Sequence, residues 1–426
     1  MRLFRLRESL RSSLWFVPAL GVGVAIVLAT GLVTLDHWLA GTDTKFLLGF
    51  TGSAEASRNI LSVIASSMMT LTALVFTILI VVLQLTSTQF SPRVLRTFVR
   101  DRDSQVTLAI FVGTFTYTML VLRAVRSPVE EDPEFVPALA VSGAFALVLL
   151  SLGVFVAYIN HIAQAIRVIN IITAVGDETR QAVDRLYPAS EEEPGAEEPI
   201  SLPQGRPTRV IPSPRPGVVV AYDADRLVAA ARRSACLLVL VPAVGDFLPG
   251  GGPLLHAYGG GQDLGDVKRF VDLEEERTMS QDVAFGFRQL VDIAERGLSP
   301  AINDPTTAVQ VLDQLHDFLR RLVGRPFPSG AYHDREGNLR LVVPSMSWEG
   351  YVTLACDEIR HYGEGSVQVA RRMRAMLEDL LEVAPIERVP PIERQLKLLE
   401  ALVDRGFPDL EDRRTADDPD QQGLGS

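Results

Sequence analysis

Seven polar residues recur at helical spacing inside an otherwise apolar stretch: Asn59, Ser62, Ser66, Thr70, Thr77, Gln84 and Thr88, with small Ala73 among them. At about 100° per residue they share one narrow sector of a helix whose opposite side is Leu, Val, Ile and Phe. Such a stripe on a membrane helix must face protein or water, because lipid supplies no hydrogen-bond partners. Two readings follow. In the functional one, Ser62, Ser66, Thr70, Thr77, Gln84 and Thr88 line a pore formed by several copies of the helix. Ile80 and Val81 then interrupt the stripe as a hydrophobic gate that closes by dewetting. In the plainer one the same residues pack helix against helix, the commoner use of small and polar side chains in membranes, and Ser67, Thr72 and Thr86 do lie off the stripe.

A second candidate is the loop Ser299–Thr307. Asp304-Pro305 opens a helix, and the N–H groups of Thr306 and Thr307, helped by Asn303 and Arg296, offer a place for a small anionic ligand or ion. The competing and preferred reading makes Asp304 the cap of its own helix, occupying the anion's position.

Other chemistry finds less support. Asp313-x-x-His316 and Glu358-x-x-His361 each put a carboxylate and an imidazole on one helical face, but bundle metal sites need paired Glu-x-x-His motifs with two further glutamates, and only one motif here has Glu. No metal or other cofactor is expected. The chain has no Gly-x-Ser-x-Gly elbow, Walker sequence or Cys-x-x-Cys pair, so it is not read as an enzyme. Two cysteines exclude a disulfide scaffold, and a net charge of −11 argues against a nucleic-acid partner.

The elements that carry these residues begin with four intervals free of Asp, Glu, Lys and Arg: Ser12–Leu35, Asn59–Pro92, Ser104–Leu122 and Phe135–Ile166. Each reaches or nearly reaches the ~20 residues that cross a bilayer core of about 30 Å. Four transmembrane helices are expected, at about 14–36, 60–88, 105–123 and 135–160, with Trp15 and Trp38 bracketing the first at interfacial positions. That first interval is too long for the apolar core of a signal peptide and reads as retained. The fourth lacks a helix breaker through to Tyr187, so its helix is expected to continue into the cytosol.

Lys and Arg set the orientation. Arg2, Arg5, Arg7, Arg11, Arg93, Arg96, Arg100, Arg102, Arg167, Arg180 and Arg185 fall on one side, against Lys45, Arg58, Arg123 and Arg126 on the other. This bias places both termini in the cytoplasm of a bacterial inner membrane.

From Pro188 to Pro216, eight prolines and a run of glutamates read as a linker. Short strands are expected at Val218–Tyr222 and Cys236–Val241, and a helix capped by Asp223 between them. Thr278-x-x-Gln281 resembles a capping box, Glu336-Gly337-Asn338 a hairpin turn, and further helices are expected near 348–361, 366–383 and 391–405. The fold class is therefore a four-helix membrane domain (1–187, with its cytosolic helix extension), a linker (188–216), a mixed α/β, mainly helical cytosolic domain with a small β-element (217–405), and an acidic, unstructured tail (406–426).

Two blocks resemble a known family. One is Thr88-Gln89-Phe90-Ser91-Pro92-Arg93. The other is Arg277-Thr278 with Asp282-Val283-Ala284-Phe285-Gly286, continuing to Leu298-Ser299-Pro300-Ala301-Ile302-Asn303-Asp304-Pro305-Thr306-Thr307-Ala308. Together they look like the bacterial membrane-protein family catalogued as domain of unknown function 2254, over nearly the whole chain. The resemblance implies a bacterial inner-membrane protein with a cytosolic C-terminal domain. It carries over no activity and no site residue. The leading functional expectation is a homo-oligomeric, channel-like protein in the lipid bilayer; the alternative is a non-conducting scaffold or sensor that recruits partners through its cytosolic part.

Overall fold

The computed structural model describes residues 15–39, 50, 52–89, 102–126, 134–189, 203, 205–260 and 264–423, with residues 86–89 described in backbone only. The chain divides into two compact units, Met1–Arg167 and Val168–Ser426.

The first unit contains four helices long and apolar enough to cross a membrane: α1 (Phe16–Leu39), α2 (Ala54–Gln89), α3 (Arg102–Ala124) and α4 (Ala138–Ala165). α3 is the least apolar and the most buried, and it packs on the other three. Small residues let α1 and α3 approach closely. A Cβ on Gly21 would lie 2.7 Å from the Ala109 carbonyl oxygen, and one on Gly113 would lie 3.3 Å from that of Gly21. Between α3 and α4 the buried hydroxyls of Thr114 and Ser151 hydrogen-bond at 3.1 Å, and Tyr117 donates to the Ala140 carbonyl at 2.7 Å. Leu61, Ile64, Met68, Tyr117, Val121 and Val141 make the core at one end of the unit. Trp15 and Trp38 are exposed at the two ends of α1.

Helix ends in this unit are satisfied by side chains from other helices and loops. α4 begins after Pro137, which offers no side-chain cap; Asp36 of α1 instead accepts from Leu139 and Ala140. Glu134 accepts from the Ala54 N–H at the start of α2, and Arg58 donates to the Val125 carbonyl just past α3.

The fourth helix does not run on to Tyr187 as expected. It ends at Ala165, where the Arg167 N–H bonds three residues back to Gln164, and a separate helix α5 (Val168–Leu186) follows. α5 is amphipathic, and its buried side, including Ile171, Ile172, Val175 and Val183, packs within the second unit. No proline or glycine marks the break at Ile166–Arg167.

The second unit is α/β and mainly helical. Strands β1 (Arg209–Pro212), β2 (Gly217–Tyr222), β3 (Cys236–Leu240), β4 (Phe247–Leu248), β5 (Pro253–Gly259), β6 (Val271–Glu274), β7 (Ala331–His333) and β8 (Leu339–Val342) form two sheets. One runs β1-β5-β3-β8-β7, antiparallel except for β3 with β8; the other is antiparallel, β4-β2-β6. Leu238, Leu240, Leu255 and Leu341 anchor their core with Leu227 of α6 (Ala224–Arg233). As expected, Asp223 caps α6, and the turn at Gly337 joins β7 to β8.

Helices α7 (Val283–Leu298), α8 (Pro305–Leu322), α9 (Trp348–Tyr362), α10 (Val367–Val383), α11 (Val389–Gly406) and α12 (Leu410–Asp417) pack with α5 around Phe287, Phe318 and Tyr351. Two expectations fail locally. Asp282, not the Thr278/Gln281 pair, caps α7 by accepting from Phe285, while Gln281 bonds both backbone polar groups of Tyr222. Within the acidic tail, expected to be unstructured, residues 410–417 form α12, and buried arginines of α10 reach its end: Arg374 meets Asp417 at 2.5 Å, and Arg371 meets Asp418 at 3.1 Å.

Candidate functional site

α2 divides into two opposite faces. Leu61, Ile64, Met68, Thr72, Val75, Leu79 and Val82 are buried toward α3 and α4. Half a turn away, Asn59, Ser62, Ser66, Thr70, Ala73, Thr77 and Gln84 are exposed. The polar residues thus occupy the middle of the exposed arc, flanked by exposed Val63, Met69, Leu74, Ile80 and Val81. The stripe lies outside the packed interior of the unit, and both candidate gate residues sit beside it. The side chain of Thr88 lies outside the described residues.

The hydroxyls on this arc bond to their own helix. Ser66 donates to the Val63 carbonyl at 2.9 Å, Thr70 to Ser66 at 3.0 Å and Thr77 to Ala73 at 2.9 Å. These bonds lower the cost of facing an apolar medium. Thr72, off the stripe, is buried and bonds in the same way to Met68.

The Ser299–Thr307 loop is built around its cap. Asp304 accepts the Thr307 N–H through Oδ1 at 3.2 Å and the Thr307 hydroxyl through Oδ2 at 2.6 Å. Asn303 takes a left-handed conformation with φ of 52°, and its N–H bonds back to Ser299 at 2.8 Å. Arg296, Asn303 and Thr306 are exposed around this turn. Both carboxylate oxygens serve Thr307, so Asp304 caps its own helix from the position an anion would take.

Asp313 and His316 of the first carboxylate–imidazole pair, and Glu358 of the second, are drawn into ion networks. Arg372 binds Asp313 at 2.7 Å and approaches His316 Nδ1 at 3.1 Å, while Nε2 of that ring meets Asp379 at 2.7 Å. Burial, aided by Arg372, pushes the His316 pKa down against the pull of Asp379. Glu358 is held by Arg288 at 2.5 Å, beside Glu295. Burial and a hydrogen bond with Glu358 raise the Glu295 carboxyl to about 7. Among the described residues no three His, Cys, Asp or Glu side chains converge to hold a metal ion. Cys236 and Cys356 are buried, and burial pushes the Cys356 thiol up to about 12.

Comparison with known proteins agrees with a membrane assignment. A family model described as "Predicted membrane protein (DUF2254)" matches residues 11–379. The chain belongs to this family. Similar DUF2254 relatives include uncharacterized proteins of Mycobacterium bovis and Mycobacterium tuberculosis, 34% identical over 419 residues, covering 95% of this chain and 79% of each relative. No solved structure matches this DUF2254 chain. It is thus a membrane protein of a family with bacterial members, and the matched span includes both α2 and the Ser299–Thr307 loop.

Sequence reasoning missed three groups. Asp36, Glu134 and Arg58 staple helix ends in the first unit; a faint signal was Asp36 standing alone after an uncharged interval, with Pro137 where α4 needs a cap. The Thr114–Ser151 bridge gave no signal in either helix alone. An arginine-lined cavity on α6 was hidden because its walls come from separate segments.

Proposed function

We propose that this DUF2254 protein sits in a bacterial inner membrane with both termini in the cytoplasm, and that copies of α2 assemble with their exposed arcs turned toward a common axis to form a channel-like path. The observation that carries the reading is the position of Ser62, Ser66, Thr70, Thr77 and Gln84 diametrically opposite the face of α2 buried on α3. A protomer that surrounded this arc with its own helices would leave nothing for a second copy to cover. Gln84 adds a carboxamide to the arc. On this reading Ile80 and Val81 narrow the path, and the second unit assembles or regulates it.

One observation favours the non-conducting alternative. The hydroxyls of Ser66, Thr70 and Thr77 are satisfied by their own backbone, so the arc also suits a dry interface in a membrane-anchored scaffold or sensor. Planar-bilayer recording separates the two. Conduction is expected for the wild-type protein, with unit conductance altered in Gln84→Leu and closed-state leak in Ile80→Ser. Silence in planar bilayers, together with failure of Thr70→Cys and Thr77→Cys proteins to crosslink between copies, would sink the channel reading.

A further inference from the structure

The second unit concentrates positive charge in one concavity of a chain whose net charge is −11. A surface cavity of about 450 Å³ is lined by Arg226, Ala229, Arg233, Arg269 and Phe270. That volume is in the range of small-molecule sites, about 300–1,000 Å³. Its walls follow from local structure. Arg226, Ala229 and Arg233 stand three and then four residues apart, on one face of α6. The opposite, apolar face (Leu227, Ala230, Ala231) is buried in the sheet core, which fixes the direction of the arginines. The other wall is the 3-10 turn Val267–Phe270, held by buried Val267 and Phe270 and tied to the start of α6 by the Asp223 N–H bonded to the Phe270 carbonyl at 2.9 Å.

The guanidinium groups are placed by an aromatic ring more than by acids. Arg269 lies 5.0 Å and Arg226 5.9 Å from the centre of the Phe270 ring. Arg226 pairs with Asp223 at 3.2 Å, whose other oxygen caps the helix through the Arg226 N–H. Arg233 and Arg269 have no ion-pair partner among the described residues, and none of the residues lining the cavity is acidic. Arg232, next along the helix, is instead neutralised by Glu336. Three exposed guanidinium groups beside one carboxylate leave an excess of positive charge that suits an anion. A planar guanidinium fork matches phosphate oxygens two at a time, and three forks around one concavity favour an anion of more than one charge.

We propose that the cavity between α6 and the 267–270 turn binds a small phosphorylated molecule, with Arg226, Arg233 and Arg269 clamping its phosphate oxygens and Ala229 and Phe270 forming its apolar floor. The site shares no residue with α2 or with the Asp304 turn, and stands whether or not the protein conducts.

Equilibrium dialysis of radiolabelled pyrophosphate against the full chain in phosphatidylcholine nanodiscs tests it. One saturable site per chain is expected. Arg233→Ala and Arg269→Ala each weaken binding about ten- to a hundredfold, the range for losing a charge-assisted hydrogen bond. Arg232→Ala leaves affinity unchanged. Arg233 and Arg269 are exposed, so unaltered thermal unfolding of their variants shows that lost binding is not lost folding. The same measurement with phosphatidylglycerol in the discs separates two sources of the chemistry. Weaker pyrophosphate binding identifies a lipid headgroup as the natural occupant, and unchanged binding identifies a soluble phosphate compound. Absence of saturable binding at millimolar pyrophosphate, or equal affinity in the Arg233→Ala, Arg269→Ala and Arg232→Ala proteins, overturns the proposal.

Discussion

The Asp36 carboxylate on α1 accepts the backbone N–H of Ala140 at 2.9 Å in the first turn of α4, and that of Leu139 at 3.0 Å with its other oxygen. A helix leaves its first N–H groups without internal partners, and here they meet a carboxylate that is itself buried from water. A negative charge there also meets the positive end of the helix dipole. Asp36→Ala should therefore lower stability by about 1–3 kcal/mol, the cost of orphaning buried donors. Thermal unfolding in detergent micelles reads the loss, and Asp36→Asn should fall between the two. Wild-type melting of Asp36→Ala would mean that α4 finds another cap.

The close approach of α1 and α3 gives a sharper contrast. A Cβ at Gly21 would sit 2.7 Å from the Ala109 carbonyl oxygen, whereas one at Gly23 meets nothing within 4 Å among the described residues. Gly21→Ala must push two backbones apart and should cost about 1–3 kcal/mol, as overpacking does. Gly23→Ala should be neutral or slightly stabilising, because it only removes unfolded-chain freedom. Equal melting of the two variants would contradict this helix contact.

What was legible in the sequence follows the physics of each feature. Hydrocarbon demands contiguous apolar length, so the four spans appeared as uncharged intervals, and the α2 arc emerged from helical periodicity alone. Caps formed within three residues, such as Asp223 with Arg226 and Asp304 with Thr307, were readable for the same local reason. Asp36 capping α4, Arg374 recruiting Asp417 and the cavity shared by Arg233 and Arg269 depend on packing between distant segments. The division of the expected single helix at Ile166–Arg167 was equally hidden. Nothing local forbids continuation there, and what the residues beyond it gain is burial of α5 in the second unit.

Glu295 makes the second unit sensitive to pH. Burial, then the hydrogen bond with Glu358, raises its carboxyl from 4.5 to about 7, with Asp292 adding to the rise and Arg288 opposing it. Between those values the folded chain holds a proton that the unfolded chain has released. This contribution is therefore favourable to folding at acidic pH and is lost as pH rises toward 7. Glu295→Gln cannot release the proton, so its stability relative to wild type should increase from about pH 5 to about pH 7.5. Taking the difference between the two proteins cancels other groups such as His316, whose lowered pKa acts in the opposite sense. Parallel curves of stability against pH would remove Glu295 as the source.

Arg388 closes the C-terminal end of α8 from a distant segment. Its guanidinium donates to the carbonyls of Leu322 at 2.6 Å, Val323 at 2.9 Å and Arg325 at 2.7 Å, and stacks 4.5 Å from the centre of the Phe327 ring. Its own carbonyl accepts from the Trp348 indole at 2.9 Å, which ties the start of α9 to the same point. Carbonyls at a helix end have no intrahelical donor, and a planar fork reaches several at once where a lysine ammonium is a single point. Arg388→Ala should destabilise the second unit by roughly 3 kcal/mol or more, since several buried carbonyls lose their donors together. Arg388→Lys should recover only part of that loss. Trp348 provides a local reporter, because it is buried whereas Trp15 and Trp38 are exposed. Denaturant unfolding of Arg388→Ala should shift to lower midpoint together with the change in Trp348 emission. If midpoint and emission both matched wild type, the guanidinium would not be what holds the end of α8.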